Sequence, residues 1–141
     1  MAKNFGSIMD FTRQRNEDLM RAYREQIACA PIIIKPQIFR RVAESPSSRF
    51  WVSEERATLE ISRMLVGKSF PHMRANKREM FQEIFRRFLI ERRKFPAMSI
   101  PELVSRVIMQ PAPKFYLTPR TVGEFIYQIK NGKFDHKYDK Y

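Results

Sequence analysis

Cysteine, histidine and glycine are scarce in this 141-residue chain, which has one, two and four of them. The single Cys29 excludes an intramolecular disulfide and a cysteine-rich zinc site. Between Ala28 and Ala30 it reads as a small apolar residue near a helix end. His72 lies in a proline-containing turn and His136 in the C-terminal stretch. Neither has the spacing to a cysteine or carboxylate that metal ligation needs, so no metal site is expected. With so little glycine there is no phosphate-cradling loop and no nucleophile elbow. Acidic residues stand singly or at helix starts, without the visible pair that two-carboxylate catalysis uses. The expectation is a protein that is not an enzyme, with no catalytic residues and no cofactor. No run approaches the roughly 18 apolar residues of a membrane span. Residues 1–5 lack an apolar run followed by a cleavage site, so no signal peptide and an intracellular, cytoplasmic location are expected, with nucleoid or virion association left open.

Positive charge and aromatic side chains are abundant. Twenty-seven Lys and Arg against fifteen Asp and Glu leave +12 at neutral pH, and there are twelve Phe. Such a field attracts polyanions: nucleic acid, an acidic protein or an anionic surface. The 43% hydrophobic content is enough for an ordinary core.

Residues 31–68 align without gaps on residues 96–133 at an offset of 65. Nine of the 38 positions are identical: Pro31/Pro96, Pro36/Pro101, Arg41/Arg106, Val42/Val107, Pro46/Pro111, Phe50/Phe115, Ile61/Ile126, Gly67/Gly132 and Lys68/Lys133. This predicts an internal duplication in which each copy reads helix, short strand, helix. Pro36 and Pro101 mark helix starts, the second strengthened by the capping-box spacing of Ser99 and Glu102. Pro46 and Pro111 stop these helices. Residues 49–52 and 114–117 alternate like strands, and Ser53 and Thr118 then cap the following helices. Gly67 and Gly132 sit where those helices should end. Outside the copies, a helix is expected from Ser7 to about Ala28. Another is expected over 76–94, with Met80, Phe81, Ile84, Phe85, Phe88 and Leu89 on one face and Arg86 and Arg93 on the other. The predicted fold is therefore α-rich α+β, with about six helices and two short strands related by pseudo-twofold symmetry. Residues 1–132 would form one domain, and 133–141 a flexible tail.

The candidate binding residues follow from charge and alternation. If Phe50 and Phe115 enter the core, the opposite strand faces present Arg49 with Trp51 and Lys114 with Tyr116, a cation beside an aromatic in both copies. That surface suits base stacking and phosphate contact. From Lys68 to Lys94 nine basic residues face three acidic ones. Lys68, Arg74, Lys77, Arg78, Arg86 and Arg93 are the expected phosphate contacts. Nucleic acid, DNA or RNA, is the leading partner. The other reading is a structural or adaptor protein, such as a phage or mobile-element assembly component, that binds an acidic protein or self-assembles.

The element order over residues 49–93 resembles that of ribbon-helix-helix DNA-binding proteins, which would imply paired strands entering the major groove. It departs from that family in the long turn from Gly67 to Asn76 and in lacking a second helix after Gly132. The run Pro111, Ala112, Pro113, Lys114, Phe115 and Tyr116 is similar to a P-x-P-[RK]-F-Y motif in small basic proteins of bacterial and phage mobile elements. That resemblance implies no particular activity.

Overall fold

A computed structural model of the chain describes residues 5–68 and 72–132. Six helices account for most of them: α1 (Phe5–Cys29), α2 (Lys35–Ala43), α3 (Glu54–Leu65), α4 (Ala75–Lys94), α5 (Ile100–Ile108) and α6 (Pro119–Lys130). The offset of 65 relates α2 to α5 and α3 to α6 end for end, and also carries the end of α1, Cys29, onto the end of α4, Lys94. The recurring unit is thus three helices long. Local chemistry sets its boundaries. Ser53 and Thr118 accept the amides of Arg56 and Thr121 at 3.1 Å. Ser99 and Glu102 close a reciprocal capping box at the start of α5. Gly67 and Gly132 follow the ends of α3 and α6 at φ of 82° and 72°, the left-handed conformation glycine adopts without strain. α1 already runs at Phe5, so Ser7 lies inside the helix rather than starting it.

The two expected strands are absent. No strand occurs among the described residues, and the only extended pairing is an isolated bridge residue in each linker, Ser47 and Ala112. The fold is all-helical rather than α+β, and the ribbon-helix-helix order fails with its ribbon. An isolated two-stranded ribbon is marginal in water, and here the linker polar groups find other partners. The Phe50 amide donates to the Ile108 carbonyl at 2.9 Å, and the Val52 amide turns back on the Phe50 carbonyl. In the second linker Tyr116 takes φ of 58°, a left-handed conformation that breaks side-chain alternation. Phe115 and Tyr116 are consequently both buried, although neighbours on a strand would face opposite ways.

The chain forms two compact units. One consists of the described parts of Met1–Ser47 and Leu117–Tyr141, the other of Ser48–Tyr116. In the first, α2 packs on α6, and α1 covers both; in the second, α5 packs on α3, and α4 covers both. Each unit therefore holds the first two helices of one repeat and the third helix of the other. The cores occupy equivalent positions: Leu19/Ile84, Tyr23/Phe88, Ile38/Leu103, Val42/Val107, Ala57/Val122 and Ile61/Ile126 are all buried. In the second unit Phe50, Phe81 and Phe88 are the largest fully buried side chains. Residues 133–141, the expected tail, lie outside the described residues.

Candidate nucleic-acid interface

The linkers are anchored rather than presented. In the first unit Arg21, held by Asp18 at 2.8 Å, donates to the Pro46 carbonyl at 3.3 Å. In the second, Arg87, held by Glu83 at 2.7 Å, donates to the Pro111 carbonyl at 2.8 Å. Asp18/Glu83 and Pro46/Pro111 are offset pairs, but the arginines are not: Arg21 aligns with Arg86, whereas the second latch uses the next residue, Arg87. Each repeat thus fastens its linker to its own first helix with an acid, an arginine and a proline carbonyl. In the second unit the acid is shared: Arg86 and Arg87 hold the Glu83 carboxyl well below the usual range, at about 2. The sequence reading missed these latches. Extending the same offset backwards into residues 5–29 pairs the acids, Asp18 with Glu83, but not the latching arginines.

That anchoring consumes the predicted linker cations. Arg49 is half-buried, and its guanidinium donates to the Phe50 and Val52 carbonyls at 3.1 Å each while covering the Trp51 ring at 4.8 Å. Burial lowers its pKa, which leaves the group charged. Lys114 pairs with Glu79 at 2.7 Å and lies 5.7 Å from the Tyr116 ring. Tyr116 itself is only 7% exposed and stacks on Phe50 at 6.1 Å. Burial, followed by the charges of Glu83 and Glu79, pushes its hydroxyl up to about 12. A ring so placed cannot offer a face to a base, which corrects the stacking role expected of it. Trp51 is half-buried under the Arg49 guanidinium.

The α4 cations are arranged differently. Met80, Phe81, Ile84 and Phe88 are buried, with Phe85 and Leu89 packed at the edge of the same core. That leaves Arg78, Arg86 and Arg93 exposed on the outward side. Arg78 also donates to the Met73 carbonyl at 2.9 Å, and Arg86 is oriented by Glu83 at 2.7 Å. The side chains of Lys68, Arg74, Lys77 and Arg93 are exposed and have no hydrogen-bond or ion-pair partner among the described residues. α4 follows its N-cap residue Arg74 with no side-chain cap and no acid in its first turn; α2 is likewise uncapped, whereas α3, α5 and α6 are capped. Cations at an uncapped helix start oppose the helix dipole, an arrangement that an arriving anion relieves.

Among the described residues no cluster of three His, Cys, Asp or Glu could hold a metal ion, and no helix is long and apolar enough to cross a membrane. No protein-family model, curated protein or solved structure matches the chain.

Proposed function

We propose that this chain is a non-enzymatic nucleic-acid-binding protein whose phosphate contacts come from α4 and the turn leading into it. The observation that supports it best is the unpaired cation cluster at the uncapped start of α4, continued by Arg86 and Arg93 along its exposed face. Arg78 to Arg93 spans about 22 Å of helix at ~1.5 Å per residue, comparable to about six base pairs of duplex at ~3.4 Å each. Lys68, Arg74 and Lys77 neutralise phosphates at one end, and Arg93 does so at the other. Glu83 orients Arg86 without removing its outward donors. Contacts of this kind set affinity and register and carry little sequence information. The linker residues Arg49 and Lys114 contribute structure first, so binding depends mainly on α4.

The test is fluorescence anisotropy with a labelled mixed-sequence 20-base-pair duplex and its component single strand at about 50 mM salt. The wild-type chain should bind the duplex, and Arg74→Ala/Lys77→Ala/Arg93→Ala should lose at least about tenfold in affinity. Trp51→Phe should change duplex affinity little. Absence of wild-type binding to either probe would refute the reading.

A further inference from the structure

We infer that the groove between α2 and the start of α6, in the first unit, is a docking site for an acidic peptide segment with an apolar anchor residue. It is lined by Pro36, Phe39, Arg40, Pro119 and Arg120, with a volume of about 310 Å³, room for one or two side chains. Its floor is fixed. The Phe39 ring lies against Gly123 so closely that a Cβ there would meet ring carbons at 2.8 and 2.9 Å. On its other side Phe39 stacks with Tyr23 at 6.4 Å, whose hydroxyl accepts a hydrogen bond from Lys130 at 3.1 Å. Glycine at position 123 therefore creates the seat in which the ring lies, and the ring with the two prolines makes an apolar trough.

The rim supplies the charge that selects the occupant. Arg40 is exposed and has no partner among the described residues. Arg120 is 88% exposed and among the described residues engages only Glu124, at 3.3 Å. The equivalent place in the second unit shows that this sign is particular to the first. There the groove between α5 and the start of α3 is lined by Glu54, Met98, Pro101, Glu102, Ser105 and Arg106, and Arg106 is occupied by Glu91. The same architecture thus carries two carboxylates in one unit and two guanidiniums in the other. An apolar trough between two guanidiniums complements an aliphatic or aromatic side chain flanked by carboxylates. Guanidiniums pair such groups in forked geometry.

The test is a selection from a random displayed-peptide library on the full-length chain, followed by amide chemical-shift mapping with a synthesised enriched peptide. The expected consensus is Asp or Glu on both sides of an aromatic or large aliphatic residue, with shifts concentrated at residues 36–40 and 119–123. Arg40→Gln/Arg120→Glu should weaken that peptide about tenfold or more. Glutamate in the first turn of α6 suits the helix dipole, so a lost fold is not the expected cause. Gly123→Ala, which displaces Phe39, should weaken it as well, with the fold checked by circular dichroism. Duplex binding by α4 should survive in both variants. A consensus without acidic residues, no enrichment, or equal affinity in the double-arginine variant would overturn the proposal. So would loss of duplex rather than peptide binding, which would assign the groove to nucleic acid.

Discussion

The first helices of the two repeats bury equivalent residues and differ sharply in charge. α1 balances Arg13, Arg15, Arg21 and Arg24 against Asp10, Glu17, Asp18 and Glu25, whereas α4 sets seven basic residues against three acidic ones. The second helices reverse the pattern. α2 carries Lys35, Arg40 and Arg41 with no acid, while α5 has one residue of each sign. Arg13/Arg78 and Arg21/Arg86 are identical across the offset; Arg13, Arg21 and Arg86 are ion-paired, to Asp10, to Asp18 and Glu25, and to Glu83, while Arg78 bonds only the Met73 carbonyl among the described residues. Most shared core positions are apolar in both repeats because the interior is close-packed, Asn16 opposite Phe81 being an exception. Exposed positions are free of that constraint, so charge has been redistributed from one helix to another while the packing stayed constant.

The comparison breaks most visibly where the cores themselves differ. Phe81 is fully buried, and its counterpart Asn16 is buried, its side chain bonded among the described residues only to the neighbouring Arg15. Phe81→Ala should cost about 3–5 kcal/mol in urea unfolding, and Asn16→Ala about 1 kcal/mol or less. Equal costs would show that the two units are not differently filled. The latches should rank next. Arg87→Ala removes charge-assisted bonds from a largely covered side chain and should cost about 1–3 kcal/mol. Arg21→Ala, in a more exposed latch, should cost under about 1 kcal/mol.

Acid sharpens the same contrast. The Glu83 carboxyl titrates at about 2 because Arg86 and Arg87 bond its ionised form. Its contribution is complete above the ordinary carboxylate value near 4.5 and is lost as pH falls through about 2. Melting temperature should therefore fall over that window more steeply in the wild type than in Glu83→Gln. Identical profiles would remove the latch as a stabilising element. The smallest effect tests likeness rather than difference. Gly67→Ala and Gly132→Ala both place a side chain at positive φ with nothing within 4 Å of its Cβ. Each should cost about 1 kcal/mol, and unequal losses would separate the two helix ends.

Much of the helical framework was legible because short-range chemistry writes it. Ser53, Ser99 and Thr118 as caps, the prolines at 36 and 101, and the glycines at 67 and 132 act within a turn of their own positions. The linkers were misread because alternating aromatic and aliphatic residues carry a strand signature, whereas their conformation is decided from afar. The Ile108 carbonyl, the Arg49 guanidinium turned back on its own linker and the left-handed Tyr116 leave no alternation visible in sequence. The candidate site divided along the same line. Arg86 and Arg93 are placed on the outward face by helical periodicity and are exposed as expected. Arg49, Lys114 and Tyr116 were chosen from a strand that does not form. The latches are not legible in the repeat, because the offset of 65 pairs Arg21 with Arg86 rather than with Arg87.

If charge was concentrated on α4 to bind phosphate, α4 and α1 should differ in the salt dependence they impart. The decisive measurement is the slope of log affinity against log salt for a mixed-sequence duplex. It compares the wild type with Arg74→Ala/Lys77→Ala/Arg93→Ala, on α4 and its N-cap, and with Arg13→Ala/Arg21→Ala on α1. Each phosphate contact removed should reduce the slope by about 0.9, so the α4 variant should flatten it by two units or more. The α1 variant, whose arginines are already paired, should match the wild type. Equal slopes in all three proteins, or a larger loss from α1 than from α4, would contradict the assignment of the binding face.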